Sequence, residues 1–271
     1  MDLTTTGGVS ETNGVITGGM TSNRVTTFDT PQFSGAYGGG YHLMDSANTI
    51  VFGAPQLSID TTQPNGNGIV LFTKVAGSIE DYLALYQETT FTSSVKGAFY
   101  TSAQYAGIGG WQHTVVNGTS RQTRLDYFAF GSPTPVNAMP HSGSIRFTIL
   151  GSGNYATDTD LWFLTSGSSD FITIDFGART VSGSISLAGQ NFFKNQVGGI
   201  GHLPVEGSFT GNSMVGSFSF GSLDTSSSVP GQFHLMFVGP NASELIITYV
   251  ANDGRQAAVG AVVGVIDPNA N

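Results

Sequence analysis

From about residue 143 onward, short runs in which every second residue is apolar limit what this chain can become more than any other feature does. Ile172, Ile174 and Phe176 share one face of a strand while Thr173 and Asp175 take the other, and Val181, Gly183, Ile185 and Leu187 repeat the scheme. It recurs at Val205, Gly207 and Phe209, and again at Met214, Gly216, Phe218 and Phe220. Such a period fixes strands with one buried face. Eight runs of this kind follow one another: SGSIRFTIL, DLWFLTSGSSDFITIDF, TVSGSISLA, HLPVEGSFTG, SMVGSFSFG, GQFHLMFVG, ELIITYVA and QAAVGAVVG. Glycines recur on the inward face beside bulky residues, which keeps a small barrel from overfilling as its wall curves. Closure also removes the edges that an open Gly-rich sheet would expose. The expectation is all-β: a closed, eight-stranded antiparallel up-and-down barrel, with Phe, Ile and Gly at its inward positions and no ligand cavity on its axis.

The earlier part of the chain is less regular. Residues 1–24 carry many turn formers and no sustained period, so they read as a flexible leader. From Val25, segments such as TIVFGAPQLSI, GIVLFTKV, GAFYTSAQY, GGWQHTVV and RLDYFAFG alternate with Gly, Asn, Asp, Ser and Pro clusters and read as short strands. SIEDYLALYQ has two readings, a helix capped by Ser78 with Asp81 at its third position, or a strand beginning at Tyr82. Three prolines crowd SPTPVNAMPHSG, residues 132–143, and mark a boundary. The division is therefore a leader over 1–24, a domain of short strands over 25–137 and the barrel over 138–271.

Composition closes off several functions. With 38 Gly, 19 Phe, 9 Tyr and 10% charged residues, a helical bundle is excluded. Lys+Arg 9 against Asp+Glu 18 gives a formal charge of -9 with no basic run, so nucleic acid and anionic membrane surfaces are poor partners. Absence of cysteine removes thiol catalysis, thiolate metal sites and disulfides. Low charge with abundant small polar residues is typical of exported bacterial proteins, and the expected location is extracytoplasmic. The start, MDLTTTGGVS, has neither a basic nor an apolar leader region, which suggests a mature segment given an artificial start methionine; if a signal peptide or a lipidated cysteine existed, it has been cut away. Ala257 to Ile266, the most apolar stretch, is too short and glycine-broken to span a bilayer as a helix.

Residues 237–264, FVGPNASELIITYVANDGRQAAVGAVVG, resemble the last hairpin of the transferrin-binding protein B-like β-barrel family, where a phrase close to F-x-G-P-N-A-x-E-L-G-G precedes a strand, a turn and a closing strand. Phe237, Gly239, Pro240, Asn241, Ala242, Glu244 and Leu245 match it. ITIDFGARTVSGSISL is similar to the family's D-F-x-x-x-T-V-S-G hairpin through Asp175, Phe176, Thr180, Val181, Ser182 and Gly183. YAGIGGWQH followed by YFAFGSPTPVNAMPHSG resembles a phrase of its alphaproteobacterial members. Ile246 and Ile247 stand where the family has Gly-Gly, which leaves that strand's packing partners open. Physically, Pro240 and Asn241 make a turn, Ala242 is small where the chain doubles back, and Glu244 is placed to bond turn amides that would otherwise be orphaned.

The resemblance implies an N-terminal handle of short strands packed on the barrel, in a protein exported to the bacterial outer-membrane surface and often lipid-anchored. It also implies capture of a nutrient, haem or another iron source, for a TonB-dependent outer-membrane transporter, or binding to a host or other surface protein. Ligand class varies within one fold, so the alternative stands beside it: a structural or adhesive surface protein making protein contacts with no small ligand.

No G-x-S-x-G elbow, H-E-x-x-H, Walker loop or dinucleotide glycine fingerprint occurs, so an enzyme is not expected and no catalytic or metal-binding set is assigned. The acidic pairs Asp158 with Asp160 and Glu80 with Asp81 read as turn or capping residues. Among His42, His113, His141, His202 and His234, the first lies in GGGYHLM beside Tyr41 and Met44, in a glycine-rich loop of the handle; the second follows Trp111. A haem iron wants an imidazole near aromatic or apolar groups. The ligand-binding candidates are accordingly Tyr41, His42, Met44, Trp111 and His113, with no resident cofactor and haem as the ligand in question. His234 should face outward from a wall that otherwise shows Ser, Thr, Asn and scattered charges.

Overall fold

The computed structural model describes residues 6–12, 15–21, 24–28, 41–44, 49–51, 56–59, 68–87, 90–92, 100–117, 120–157, 160–166, 170–191, 194, 196–222, 228–253 and 256–267. Side chains are described for parts of 75–116 and for nearly all of these residues from 127 on. None of the described helices is long and apolar enough to cross a membrane.

Among the described residues, twelve strands precede the proline-rich connection. They are β1 (Thr6–Thr12), β2 (Val15–Thr21), β3 (Arg24–Phe28), β4 (Tyr41–Met44), β5 (Thr49–Val51), β6 (Gln56–Ile59), β7 (Gly68–Ala76), β8 (Ile79–Gln87), β9 (Thr90–Thr92), β10 (Tyr100–Ser102), β11 (Ala106–Asn117) and β12 (Ser120–Gly131). Seven of them form one sheet in the order β2-β1-β12-β11-β8-β7-β6, while β3-β4-β5 and β10-β9 form small separate sheets. Residues of the expected leader supply the β1–β2 hairpin, and β1 pairs with β12 from Gly7 opposite Tyr127 to Thr12 opposite Gln122. SIEDYLALYQ is strand from Ile79, not helix. Its would-be cap is engaged elsewhere: Gly77, at φ +62, turns the chain beside Ser78, whose carbonyl accepts Val116 N at 2.7 Å.

The remaining strands are β13 (Ser144–Ala156), β14 (Leu161–Ser166), β15 (Phe171–Asp175), β16 (Thr180–Asn191), β17 (Val197–Pro204), β18 (Gly207–Ser208), β19 (Ser213–Ser222), β20 (Ser228–Val238), β21 (Glu244–Asn252) and β22 (Ala257–Ile266). Both β14 and β15 lie between β13 and β16, and both β17 and β18 lie against β16, so these ten segments make eight staves. All pairings are antiparallel, and β13 with β22 closes the circle from Phe147 opposite Ile266 to Ala156 opposite Ala257. The fold is the expected handle and eight-stranded barrel.

The interior is filled by the predicted alternation. Ile172, Ile174, Phe176, Val181, Ile185, Leu187, Phe218 and Phe220 are all buried in one core, with Phe176, Phe209 and Phe237 in mutual ring contact. Met139, within the proline-rich connection, is buried in the same core. Inward glycines face large side chains directly across the ladder: Gly216 opposite Phe233, Gly231 opposite Phe218, Gly260 opposite Tyr249. A Cβ at Gly231 would come within 2.6 Å of the Phe218 ring, so the glycine is where the ring lies.

Gly207 keeps its inward place, opposite buried Val181 and with the core side chain of Met214 against it, but its backbone is exposed at φ +142, a region that side chains avoid. The strand breaks there, and β17 meets β19 at two residue pairs only, Gly201 with Ser222 and His202 with Gly221.

A second cluster joins handle to barrel. Ala103, Ala106, Ile108, Tyr127 and Ala129 pack on the outer side of β21 and β22, against Ile246, Val259, Ala261, Val263 and Val265. Both faces of these two strands are therefore buried, which explains their nearly continuous apolar sequence. The two isoleucines in place of Gly-Gly divide the work: Ile247 enters the barrel core and Ile246 meets the handle.

Candidate ligand-binding surfaces

Tyr41, His42 and Met44 share β4, the middle strand of the three-stranded sheet. Tyr41 lies opposite Phe28, His42 between Thr27 and Val51, and Met44 between Arg24 and Thr49. Trp111 and His113 lie on β11, opposite Asp126 and Arg124 on one side and Leu83 and Asp81 on the other. The two groups occupy separate sheets without a shared ladder. β4 is strand where the sequence suggested a glycine-rich loop, and β11 is the strand that GGWQHTVV led one to expect; the segment 29–40, including Tyr37, is outside the described residues, as are the side chains of all five candidates. Gly107 and Gly109 serve packing, because the rings of Phe130 and Phe128 cover them, and Ile108 is buried against the barrel.

Where the handle meets the barrel rim, the geometry is fully specified. The Glu244 carboxylate accepts the backbone N–H of Gln104 on Oε1 at 2.7 Å and that of Tyr105 on Oε2 at 2.9 Å. The sequence placed this carboxylate on the amides of its own turn; it holds the handle's turn instead, some 140 residues away. Burial pushes its pKa above the ordinary value, and the N–H bonds from Gln104, Tyr105 and Ala106 pull against that shift. Tyr105 O accepts Ser132 N, Ser132 O accepts Gly239 N, and Thr134 Oγ1 donates to Gly239 O at 2.6 Å. Asn212 Nδ2 donates to Thr134 O at 2.7 Å. Further along, Tyr127 Oη donates to Asn154 Oδ1 at 2.6 Å, and Asn154 Nδ2 to Trp162 O at 3.1 Å. Together with the apolar cluster, these bonds fix the handle's β11 and β12 rigidly on the wall.

Several of the other described acidic groups make structural contacts. Asp160, from one of the acidic pairs, accepts Asn191 Nδ2 at 2.8 Å and pairs with Lys194 Nζ at 2.7 Å; Asp158 is outside the described residues. Asp81 is buried within β8. Ser186 Oγ bonds Asp170 Oδ1 at 2.9 Å and lies 3.3 Å from His202 Nδ1 on the outer wall. Among the described residues, no three His, Asp or Glu converge as a metal site.

His234 does take the outward side of β20, yet it is half-buried, and burial lowers its pKa from 6.5. A depressed histidine pKa means that the unfolded chain takes the proton first. Its contribution to stability is therefore complete above pH 6.5 and is lost as pH falls below it. Urea unfolding between about pH 5 and 7 should show stability rising with pH, with a slope of at most about 1.4 kcal/mol per pH unit from this group, and His234→Gln should flatten that slope. An unchanged slope in the variant would assign the effect to another group.

One feature of the wall was missed in the sequence. Phe163 and Phe171, each 40% exposed, and Val197 and Val215, 79% and 75% exposed, stand outward among Ser and Thr. Their signal was present as parity: Phe171 belongs to the Thr173 and Asp175 series, and Val215 alternates with Met214 and Gly216.

No family model matches this chain, and no curated protein matches it. Solved structures do. Transferrin Binding Protein B from Haemophilus parasuis Hp5, crystallised as a double mutant, has a TM-score of 0.51 at 14% identity over 97% of this chain and 45% of its own. Intact Ap-TbpB, with its N and C lobes, scores 0.49 at 13% identity over 97% of this chain and 46% of its own. HpuA from Kingella denitrificans, in complex with human haemoglobin, scores 0.40 at 13% identity, with 78% and 93% covered. This chain spans about half the length of the transferrin-binding protein B structures it matches. What is shared is the fold, a strand-built handle seated on an eight-stranded barrel.

Proposed function

We propose that the chain is a non-enzymatic bacterial surface protein that captures a nutrient ligand, haem or another iron source, and delivers it to a TonB-dependent outer-membrane transporter. The observation that carries this reading is the fold likeness to a structure named as a transferrin-binding protein. The handle, 25–137, is the capturing part, with Tyr41, His42, Met44, Trp111 and His113 as its contacts; the barrel, 138–271, is its mount, and a lipid anchor upstream would hold the whole at the cell surface. Supporting this division of labour, the junction at Glu244 and Tyr127 bonds the seven-stranded handle sheet, which carries Trp111 and His113, to the barrel. A second reading, a structural or adhesive protein with no small ligand, is favoured by the exposed apolar side chains of the barrel wall.

Haem titration of the purified chain separates haem capture from the rest. A Soret shift that His42→Ala abolishes is the expected result, and the absence of any spectral change removes haem as the ligand. Replacing Tyr41 and His42 together should weaken ligand binding while unfolding stability changes by only about 0.5 kcal/mol. Unfolding of that double variant, with binding lost instead on a barrel-wall change, would reverse the two domains' roles.

A further inference from the structure

The stave made by β17 and β18 parts from β19 without losing register. His202 pairs with Gly221 and Thr210 with Ser213, so Glu206 falls opposite Ser217 with no residue inserted on either side. Between those pairs, among the described residues, the ladder joins none of 203–209 to 214–220. Pro204 brings no N–H, and Val205 N and Phe209 N donate to Gly183 O and Arg179 O at 3.0 and 3.1 Å, so this side of the seam is tied to β16. Thr210 and Ser213 exchange both backbone bonds, and in a closed ladder every second pair from there would do the same. The amides of Ser208, Val215, Glu206 and Ser217 therefore face the gap, and all four residues are exposed.

Met214 closes this seam from the inside. It belongs to the inward series of β19, opposite Leu235, and is 5% exposed. Its methyl group lies against Gly207 across the gap, and a Cβ on that glycine would stand 3.8 Å from its sulfur. Bringing the sulfur to solvent thus requires a side chain to swing, with no ladder bond to break, and local opening is cheapest where such bonds are few. A thioether takes one oxygen from a peroxide. The sulfur lone pair attacks the O–O bond, an S–O bond forms, and the leaving hydroxide takes the remaining proton to become water; sulfur loses two electrons and the peroxide gains them. The sulfoxide oxygen is polar, so it cannot stay unpartnered among apolar side chains. The amides facing the gap are donors for it, and an oxygen held there keeps the seam parted.

We propose that Met214 is a modification site for peroxides, reached through the seam between β18 and β19 and loosening the barrel there when it becomes the sulfoxide. The proposal does not rest on the capture reading, since no handle residue takes part. The comparison residue is Met139, which is 6% exposed in the same core but belongs to the 132–143 connection and not to a strand of the seam. Treating the native full chain with dilute hydrogen peroxide and mapping its peptides by mass should show Met214 gaining one oxygen at least about tenfold faster than Met139, although the two are almost equally buried. The treated chain should melt more than about 4 °C lower, and Met214→Leu, a volume-conserving change, should keep its own melting temperature through the same treatment. Without peroxide, amides of Val215 and Ser217 should exchange with solvent much faster than those of β21. Equal oxidation rates at Met214 and Met139 overturn the proposal, as does protection of the Val215 and Ser217 amides to the level of β21. An equal melting loss in treated Met214→Leu overturns it as well.

Discussion

Gly153→Ala should destabilise the barrel by about 3 kcal/mol, lowering its melting temperature by roughly 6–12 °C. Gly153, Gly260 and Tyr249 lie in one row across β13, β22 and β21, and the tyrosine ring reaches over both glycines. A Cβ on Gly153 would meet the carbonyl oxygen of Val259 and stand 2.7 Å from Tyr249 Oη and 3.0 Å from Gly260 Cα. Two of those three neighbours are backbone of the paired strand, so relief requires moving the closing ladder and not merely turning a side chain. Tyr249 itself is wholly buried, and its phenol is held far above its ordinary pKa by that burial. Tyr249→Phe should therefore rescue only part of the loss. Gly198→Ala is the matched control, because nothing lies within 4 Å of a Cβ there. A Gly153→Ala melting temperature within about 2 °C of wild type would show that the interior is looser than the ring-over-glycine packing requires.

Glu244→Ala should cost about 2–6 kcal/mol, from two backbone N–H groups each worth roughly 1–3 when left unsatisfied. Both amides belong to the handle turn, so amide exchange at Gln104 and Tyr105 should rise while the barrel strands β20 and β21 stay protected. Glu244→Gln keeps one acceptor and removes the buried charge, and it should cost less. The pH dependence has a definite sign. The folded pKa is raised above 4.5, so this group's contribution is complete below that value and declines as pH rises through the folded pKa. His234 acts in the opposite direction below pH 6.5, and the two single variants separate the effects. Loss of less than about 1 kcal/mol in Glu244→Ala would mean that the apolar cluster alone holds the handle.

Much of the barrel was legible because its determinant is local. Period two tells each strand which side is inside, and the eight runs became eight staves. Gly207 holds its inward place opposite Val181, but its exposed backbone at φ +142 was not legible, because a glycine within a strand and one beside a strand break look alike in sequence. SIEDYLALYQ misled because its cap signals are local, whereas the Val116 bond that decides the matter comes from a strand nearly forty residues later. Glu244 was correctly read as an acceptor of turn amides, but which turn depends on the handle's docking, which no spacing encodes. The meaning of Ile246 and Ile247 was hidden for the same reason, since a strand buried on both faces requires knowing what covers it. Of the ligand candidates, Trp111 and His113 were read on a strand and lie on β11, whereas Tyr41, His42 and Met44 were read in a glycine-rich loop and lie on β4, because three glycines before a four-residue strand hide its period.

The central claim is that the handle captures and the barrel supports. It is tested most directly by incubating the tagged chain with detergent-solubilised outer membranes of its native host and identifying what is retained by mass spectrometry, for wild type and for Tyr41→Ala/His42→Ala side by side. The account predicts a TonB-dependent transporter retained by wild type and lost from the double variant, whose melting stays within about 2 °C of wild type. Equal retention by both proteins, or retention abolished by Val197→Lys while the handle is intact, would contradict it.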